Sequence, residues 1–214
     1  VEDPSPFGIV GLSGSIEGVV DGELREGYIR KFKEKPTPEE AFSNVINAGL
    51  YILEPEVMAL VPEGEKYDFS KNLFPRLLEM GWPMYAKAID GVWFDVGSPN
   101  ELIRAQHVLI EQRKSLPFPM PDGSVDGNGS FVSNTAHLGE HVELHKSVVA
   151  TDCSVGNDSS LRETVLMQGA SVGSNVSLSG CILSPGSIVE DNVSATNLVL
   201  GDDERLKNDD IRIS

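Results

Sequence analysis

Apolar and polar positions follow two different rhythms along this chain. In the first part, short β-rich runs (GIVGL, GYIRKF, NAGLYIL and MYAKAI) alternate with helical stretches, the pattern of an α/β domain. The strongest helix signal begins at SPNE, where Ser98 is suited to cap, Pro99 to take the first position and Glu101 to complete a capping box. Leu102, Ala105, Gln106 and Leu109 then share one helical face, which predicts an amphipathic helix from Pro99 to about Arg113. Near residue 114 the chain changes to SLPFPMPDGSVDGNGS, dense in Pro, Gly, Ser and Asp, and this reads as a connector.

Past the connector the helix signal vanishes and a repeat takes over. Leu138, Val155, Val172 and Val189 are 17 apart and open the phrases LGEHVELHKSVV, VGNDSSLRETVL, VGSNVSLSGCIL and VEDNVSATNLVL, which align without a gap. Within each phrase a second aliphatic or small residue follows six positions on, at Leu144, Leu161, Leu178 and Ala195. A period of six with one inward aliphatic per strand predicts a coil of three short parallel strands, each coil forming the core of the next. The fourth slot of the phrase, His141, Asp158, Asn175 and Asn192, holds residue types that tolerate left-handed backbone, so it predicts a corner. The repeat is expected to stop near Gly201. The expected organisation is a first domain at 1–115, a linker at 116–130, a β-helix at 131–202 and a polar tail at 203–214.

Composition narrows the function classes. Of 214 residues, 40% are hydrophobic and 23% charged, as in an ordinary folded protein. Lys plus Arg is 17 against 33 Asp plus Glu, a net charge of −16 that disfavours nucleic acid and anionic membrane as partners while leaving room for a local cationic pocket. No apolar run reaches the roughly 18 residues of a membrane span and no signal peptide is visible. Cys153 and Cys181 lack zinc or redox spacing, so free thiols in the cytoplasm are expected. The first residue is Val1, which suggests a truncated or processed chain.

Three places in the first domain carry candidate chemistry. In FKEKP an apolar run gives way to Glu34, Lys35 and Pro36: the lysine can neutralise a phosphate, the glutamate can accept from sugar hydroxyls, and the proline fixes the backbone between them. Asn47, in SNVINAGLYIL, both donates and accepts and precedes an apolar run read as a strand; Gly49 permits close approach, and Tyr51 is either core or a phosphate contact. In WFDVGSP, Asp95 ends an apolar run beside the predicted helix start, where open α/β sheets place metal and phosphate chemistry.

The phrases EDPSPFGIV, FKEKP, SNVINAGLYILEPEV, DFSKNLFPRLLEMG and WFDVGSP, in this order and spacing, resemble the C-terminal half of the catalytic domain of sugar-1-phosphate nucleotidyltransferases. Among its branches, they most resemble the mannose-1-phosphate guanylyltransferase-like one. The repeat resembles the hexapeptide, left-handed β-helix family. The resemblance implies an incomplete Rossmann-like α/β domain followed by a left-handed parallel β-helix. It further implies that Gly8, Glu34, Lys35, Asn47 and Tyr51 bind sugar 1-phosphate, that Lys35 and Asp95 are catalytic, and that Asp95 is one of two carboxylates on Mg²⁺. The reaction implied is attack of the sugar phosphate on the α-phosphorus of a nucleoside triphosphate, with pyrophosphate leaving. The family's glycine-rich GxGTRL loop, its downstream PK and its first metal Asp are not among these residues, so the chain is expected to be inactive alone and to meet the nucleotide through a missing half.

Other readings stay open. Glucose 1-phosphate with UTP or dTTP stands beside mannose 1-phosphate with GTP. The repeat is also compatible with a hexapeptide acyltransferase, or with a non-catalytic assembly or regulatory module that makes a homo-oligomer. His137, His141 and His145 are spaced four apart, but the six-residue period sends them to different sides of a coil, against a shared metal.

Overall fold

The computed structural model describes residues 1 and 3–208, which divide into two compact units at Trp93/Phe94. The first is mixed α/β. Strands β1 (Gly8–Ser13), β2 (Glu26–Glu34) and β3 (Tyr85–Lys87) form an antiparallel sheet in the order β1-β2-β3, with a register shift in β1 at Gly11/Leu12. Every residue of β1 is buried, which matches its unbroken GIVGLS run. Short helices α1 (Pro55–Met58) and α2 (Phe74–Glu79) follow, the latter entered through a π-turn at Phe69–Leu73. Leu73, Phe74 and Leu77 centre a cluster that takes in Phe32, Val57, Trp82 and Met84.

The run NAGLYIL, expected as a strand, is not one. A single bridge joins Ile46 to Ile9, and the chain then runs open, with Leu50 73% and Ile52 103% exposed. An apolar run becomes a strand only when its amides find a ladder, and the described residues supply none here.

The second unit begins with helix α3 (Pro99–Glu111). Ser98 Oγ accepts from the Glu101 amide at 3.3 Å, one half of the expected box, while the Glu101 carboxylate pairs with Arg104 at 3.4 Å. Its buried residues are Ile103, Ala105 and Ile110; of the face expected at Leu102, Ala105, Gln106 and Leu109, Ala105 is buried and Leu102 is partly buried, and the buried stripe is shifted to include Ile103 and Ile110. The reason is its target. Ile103 and Ile110 pack on Phe131, Val148, Val165 and Ile182, an apolar ladder on the outside of the coils. By packing, α3 therefore belongs with the coils rather than with residues 1–93.

The coils form a parallel β-solenoid of about four turns. Its three sheets hold Phe131–Ser133 through Val199–Leu200, His137–Leu138 through Arg205–Leu206, and Glu143–His145 through Ser194–Thr196, each strand 17 residues from the next. A short strand, β4 (Gly123–Val125), pairs antiparallel with the first of these inside the expected linker. Inward residues stack in register as Leu144, Leu161, Leu178 and Ala195, and as Val155, Val172, Val189 and Leu206. The last pairing carries the solenoid past Gly201, where the repeat was expected to end; residues 209–214 of the expected tail lie outside the described residues.

Corners, too, outnumber the expected one. The slot His141, Asp158, Asn175 and Asn192 has positive φ, and so do Lys146, Glu163, Gly180 and Asn197, and Asp152, Gly169, Gly186 and Asp203. Three left-handed corners per coil close the triangle in 17 residues. Both cysteines are free and fully buried in the coil interior, where burial raises each thiol above its ordinary pKa.

Candidate functional site

The candidate residues of the first unit gather at one end of its sheet. Gly8 opens β1 and lies opposite Glu34, the last residue of antiparallel β2. Just past Glu34 the Lys35 amide donates to Phe7 O at 3.0 Å, and on the other flank of β1 the Asn47 amide donates to Gly8 O at 2.8 Å. Tyr51 joins through its hydroxyl, which donates to Asn47 Oδ1 at 2.8 Å. Gly8, Glu34, Lys35, Asn47 and Tyr51, spread over more than forty positions of sequence, are thus laced into one rim.

Local geometry explains the residue types. A Cβ on Gly8 would come 2.6 Å from Glu34 Oε2 and 2.7 Å from Phe32 Cζ, so only glycine lets the half-buried carboxylate lie across β1. Lys35 has φ 46° and is the one non-glycine residue of the first unit, among those described, with positive φ. That conformation costs an L-residue about 1–2 kcal/mol, and strain of this kind collects where a side chain must be aimed. The chain beyond is held firmly. Pro36 is buried, Thr37 N–H donates to Glu40 Oε2 at 3.1 Å and Lys33 Nζ to Glu40 Oε1 at 3.0 Å. The Thr37 N–H first, then Lys33, keep the Glu40 carboxyl below the usual carboxylate range.

Charge at the rim is selective. Lys33 is engaged with Glu40, and Lys31 sits over the Phe42 ring at 4.2 Å. Among the described residues the Glu34 and Lys35 side chains have no hydrogen-bond or ion-pair partner, which leaves a cation and an acceptor free side by side. An open hollow of about 1120 Å³ in the first unit is bordered by Asn47 and Tyr51 and walled by apolar side chains, Ile29, Phe32, Val45 and Met84 among them; Gly8, Glu34 and Lys35 are not part of its lining.

Asp95 lies in the second unit, exposed, in the loop that leads to Ser98 and α3. Its carboxylate offers hard oxygen donors, which fits one ligand position of Mg²⁺, an ion usually held by one or two carboxylates and substrate phosphates. Among the described residues there is no group of three or more His, Cys, Asp or Glu able to hold a metal. No described helix is long and apolar enough to cross a membrane. His137 and His145 lie on strands of two different sheets, and His141, at a corner, has Nδ1 3.1 Å from Asp158 Oδ1.

Two residues at the rim were not picked out from sequence. Trp93 packs edge-on to Phe7 with ring centroids 5.6 Å apart and donates to Ala48 O at 3.2 Å, anchoring the chain two positions before Asp95. Ser70 Oγ accepts from Asn47 Nδ2 at 3.3 Å. The phrases WFDVGSP and DFSKNLFPRLLEMG already marked the neighbourhoods of Trp93 and Ser70, but singled out neither residue.

Comparison with known proteins finds two family matches. A nucleotidyl transferase family model matches residues 1–112, and a GlmU-like, C-terminal hexapeptide model matches residues 123–210. A UTP–glucose-1-phosphate uridylyltransferase of Synechocystis is 43% identical over 94 residues, covering 44% of this chain and 24% of that protein. A glucose-1-phosphate adenylyltransferase of Desulfitobacterium hafniense is 31% identical over 133 residues, covering 59% and 33%. A probable mannose-1-phosphate guanylyltransferase 2 of Arabidopsis thaliana is 30% identical over 141 residues, covering 65% and 35%. The chain thus spans about a quarter to a third of the length of these curated relatives.

Proposed function

Because this chain belongs to the nucleotidyl transferase family, we propose that its first unit forms the sugar-1-phosphate side of a site that joins a sugar 1-phosphate to a nucleoside triphosphate. The observation that carries this is the rim itself: Gly8, Glu34, Lys35, Asn47 and Tyr51 tied together, with a lysine in strained backbone beside Glu34. Lys35 neutralises the sugar phosphate, Glu34 accepts from ring hydroxyls lying over Gly8, and Asn47 donates to the sugar. Such a site acts by holding two polyanions in line, with the phosphate oxygen aimed at the α-phosphorus, and needs no protein nucleophile. Bound Mg²⁺ supplies charge neutralisation on the phosphates, and Asp95 is the residue of this chain that would hold it.

The nucleotide half of the site lies outside these residues. The open run 47–53, the exposed Leu50 and Ile52 and the apolar hollow beside them are what a sheet looks like where further strands are to pair and pack. The chain alone therefore binds sugar phosphate but does not turn over. The solenoid serves as the assembly surface of a homo-oligomer, and the buried free thiols suit a reducing cytoplasm.

Two sugars divide the observations. The phrase INAGLYIL favours mannose 1-phosphate with GTP, whereas the 43% identity to a protein named for UTP and glucose 1-phosphate favours that pair. Calorimetric titration with glucose 1-phosphate, mannose 1-phosphate, free hexose and inorganic phosphate tests the proposal. One hexose 1-phosphate is expected to bind at least about 10-fold tighter than inorganic phosphate or free sugar, since both halves of the ligand are then held. Equal affinity for hexose 1-phosphate and inorganic phosphate would leave no sugar site and sink it.

A further inference from the structure

We infer that Ser70, on the π-turn Phe69–Leu73, is a positioning residue that fixes the side-chain amide of Asn47 and so decides which atom of the sugar it can recognise. The inference rests on the functional reading above. Its starting point is the orientation of the amide. Gly49 N–H lies 3.0 Å from the Asn47 side chain and can only donate, so the atom facing it is Oδ1. The Tyr51 hydroxyl, 2.8 Å from the same atom, must then donate to it as well. Both lone pairs of Oδ1 are used. Nδ2 faces the other way and gives one hydrogen to Ser70 Oγ at 3.3 Å. One N–H remains for a ligand, so Asn47 recognises an acceptor oxygen and not a donor.

The turn that carries Ser70 also governs the second partner. Phe69 and Phe74 lie 5.7 and 5.2 Å from the Tyr51 ring, so the aromatic side chains at the two ends of the π-turn hold the tyrosine whose hydroxyl holds Asn47. The wide turn is itself specified locally: Asp68 Oδ1 accepts from Lys71 N–H at 2.9 Å, and Phe74 N–H donates back to Phe69 O. Single π-turns are found mostly at functional positions. Here the turn brings a serine to an asparagine 23 residues away and stacks two rings against a third.

The test compares Ser70→Ala, Ser70→Thr and Asn47→Ala in the whole chain, titrated with glucose 1-phosphate and with mannose 1-phosphate. Ser70→Ala is expected to weaken binding of the preferred sugar phosphate by about 3- to 10-fold, the effect of one lost neutral hydrogen bond. Ser70→Thr, which keeps the hydroxyl, restores binding to within about 2-fold on the same reasoning. Without ligand, Ser70→Ala should also shift the Asn47 side-chain amide resonances while leaving backbone resonances of β1 and β2 in place. If Asn47→Ala weakens binding but Ser70→Ala does not, or threonine fails to rescue, the positioning role is wrong and the functional reading stands. If neither sugar phosphate binds the unaltered chain, the functional reading falls and this inference with it.

Discussion

Lys35→Gly should weaken sugar 1-phosphate binding by about 10- to 100-fold, because it removes a charge-assisted contact worth about 1.5–3 kcal/mol. Glycine is the informative replacement. With φ at 46°, Lys35 pays about 1–2 kcal/mol for left-handed backbone that glycine adopts freely. Glycine returns about 0.5–1 kcal/mol of that as greater freedom of the unfolded chain. The variant is therefore expected to melt at the same temperature as the parent or higher while losing its ligand. A merely structural lysine would give the reverse pattern, lower stability with binding intact. Titration and thermal unfolding on the same sample read both effects.

The largest stability effect is expected in the solenoid. Leu161 is fully buried and lies in register between Leu144 and Leu178. Leu161→Ala removes packing from the coil above and the coil below at once, and is expected to cost about 3 kcal/mol, within the usual 2–5 kcal/mol for such truncations. Against a total of roughly 5–15 kcal/mol for a domain, that is a large share. Leu138 provides the control. It occupies an inward slot of the same phrase but is 41% exposed, so Leu138→Ala should cost less than about 1 kcal/mol. Urea unfolding should show a lower midpoint for Leu161→Ala with an unchanged slope. Equal midpoints for the two variants would mean that the coils do not form each other's core.

Some of this architecture was plainly legible. The inward ladder was, because stacked coils force aliphatic residues to recur at a fixed spacing. The outward ladder of Phe131, Val148, Val165 and Ile182 recurs at the same spacing and is written in the doublets VV, VL and IL, in which both residues are apolar. Two apolar neighbours on a strand require both faces to be covered. That is the signal for a helix packed outside the coils, and it explains why α3 turns Ile103 and Ile110 inward. Of the two further corners, one was hard to read, since Lys146 and Glu163 have no preference for left-handed backbone and adopt it because the coil must turn there, whereas the other, at Asp152, Gly169, Gly186 and Asp203, carries residue types as permissive as the slot that was read.

At the rim, the limits are of another kind. Glu34, Lys35 and Asn47 stood out because charged or amide residues next to apolar runs mark strand ends, and the fold brings strand ends together. NAGLYIL has the composition of a strand yet stays open, because strand identity belongs to a pair and its partner is not among the described residues. Ser70 was invisible because its contact depends on a π-turn, whose extra residue per turn no periodicity announces.

Backbone amide shifts during titration with a hexose 1-phosphate locate the ligand most directly. The predicted result is saturable shifts confined to Gly8, Lys35, Asn47 and Gly49 and their immediate neighbours, abolished by Lys35→Gly. Shifts that saturate elsewhere, on the solenoid for instance, or that persist at the rim without Lys35, would contradict a sugar-phosphate site at this end of the sheet.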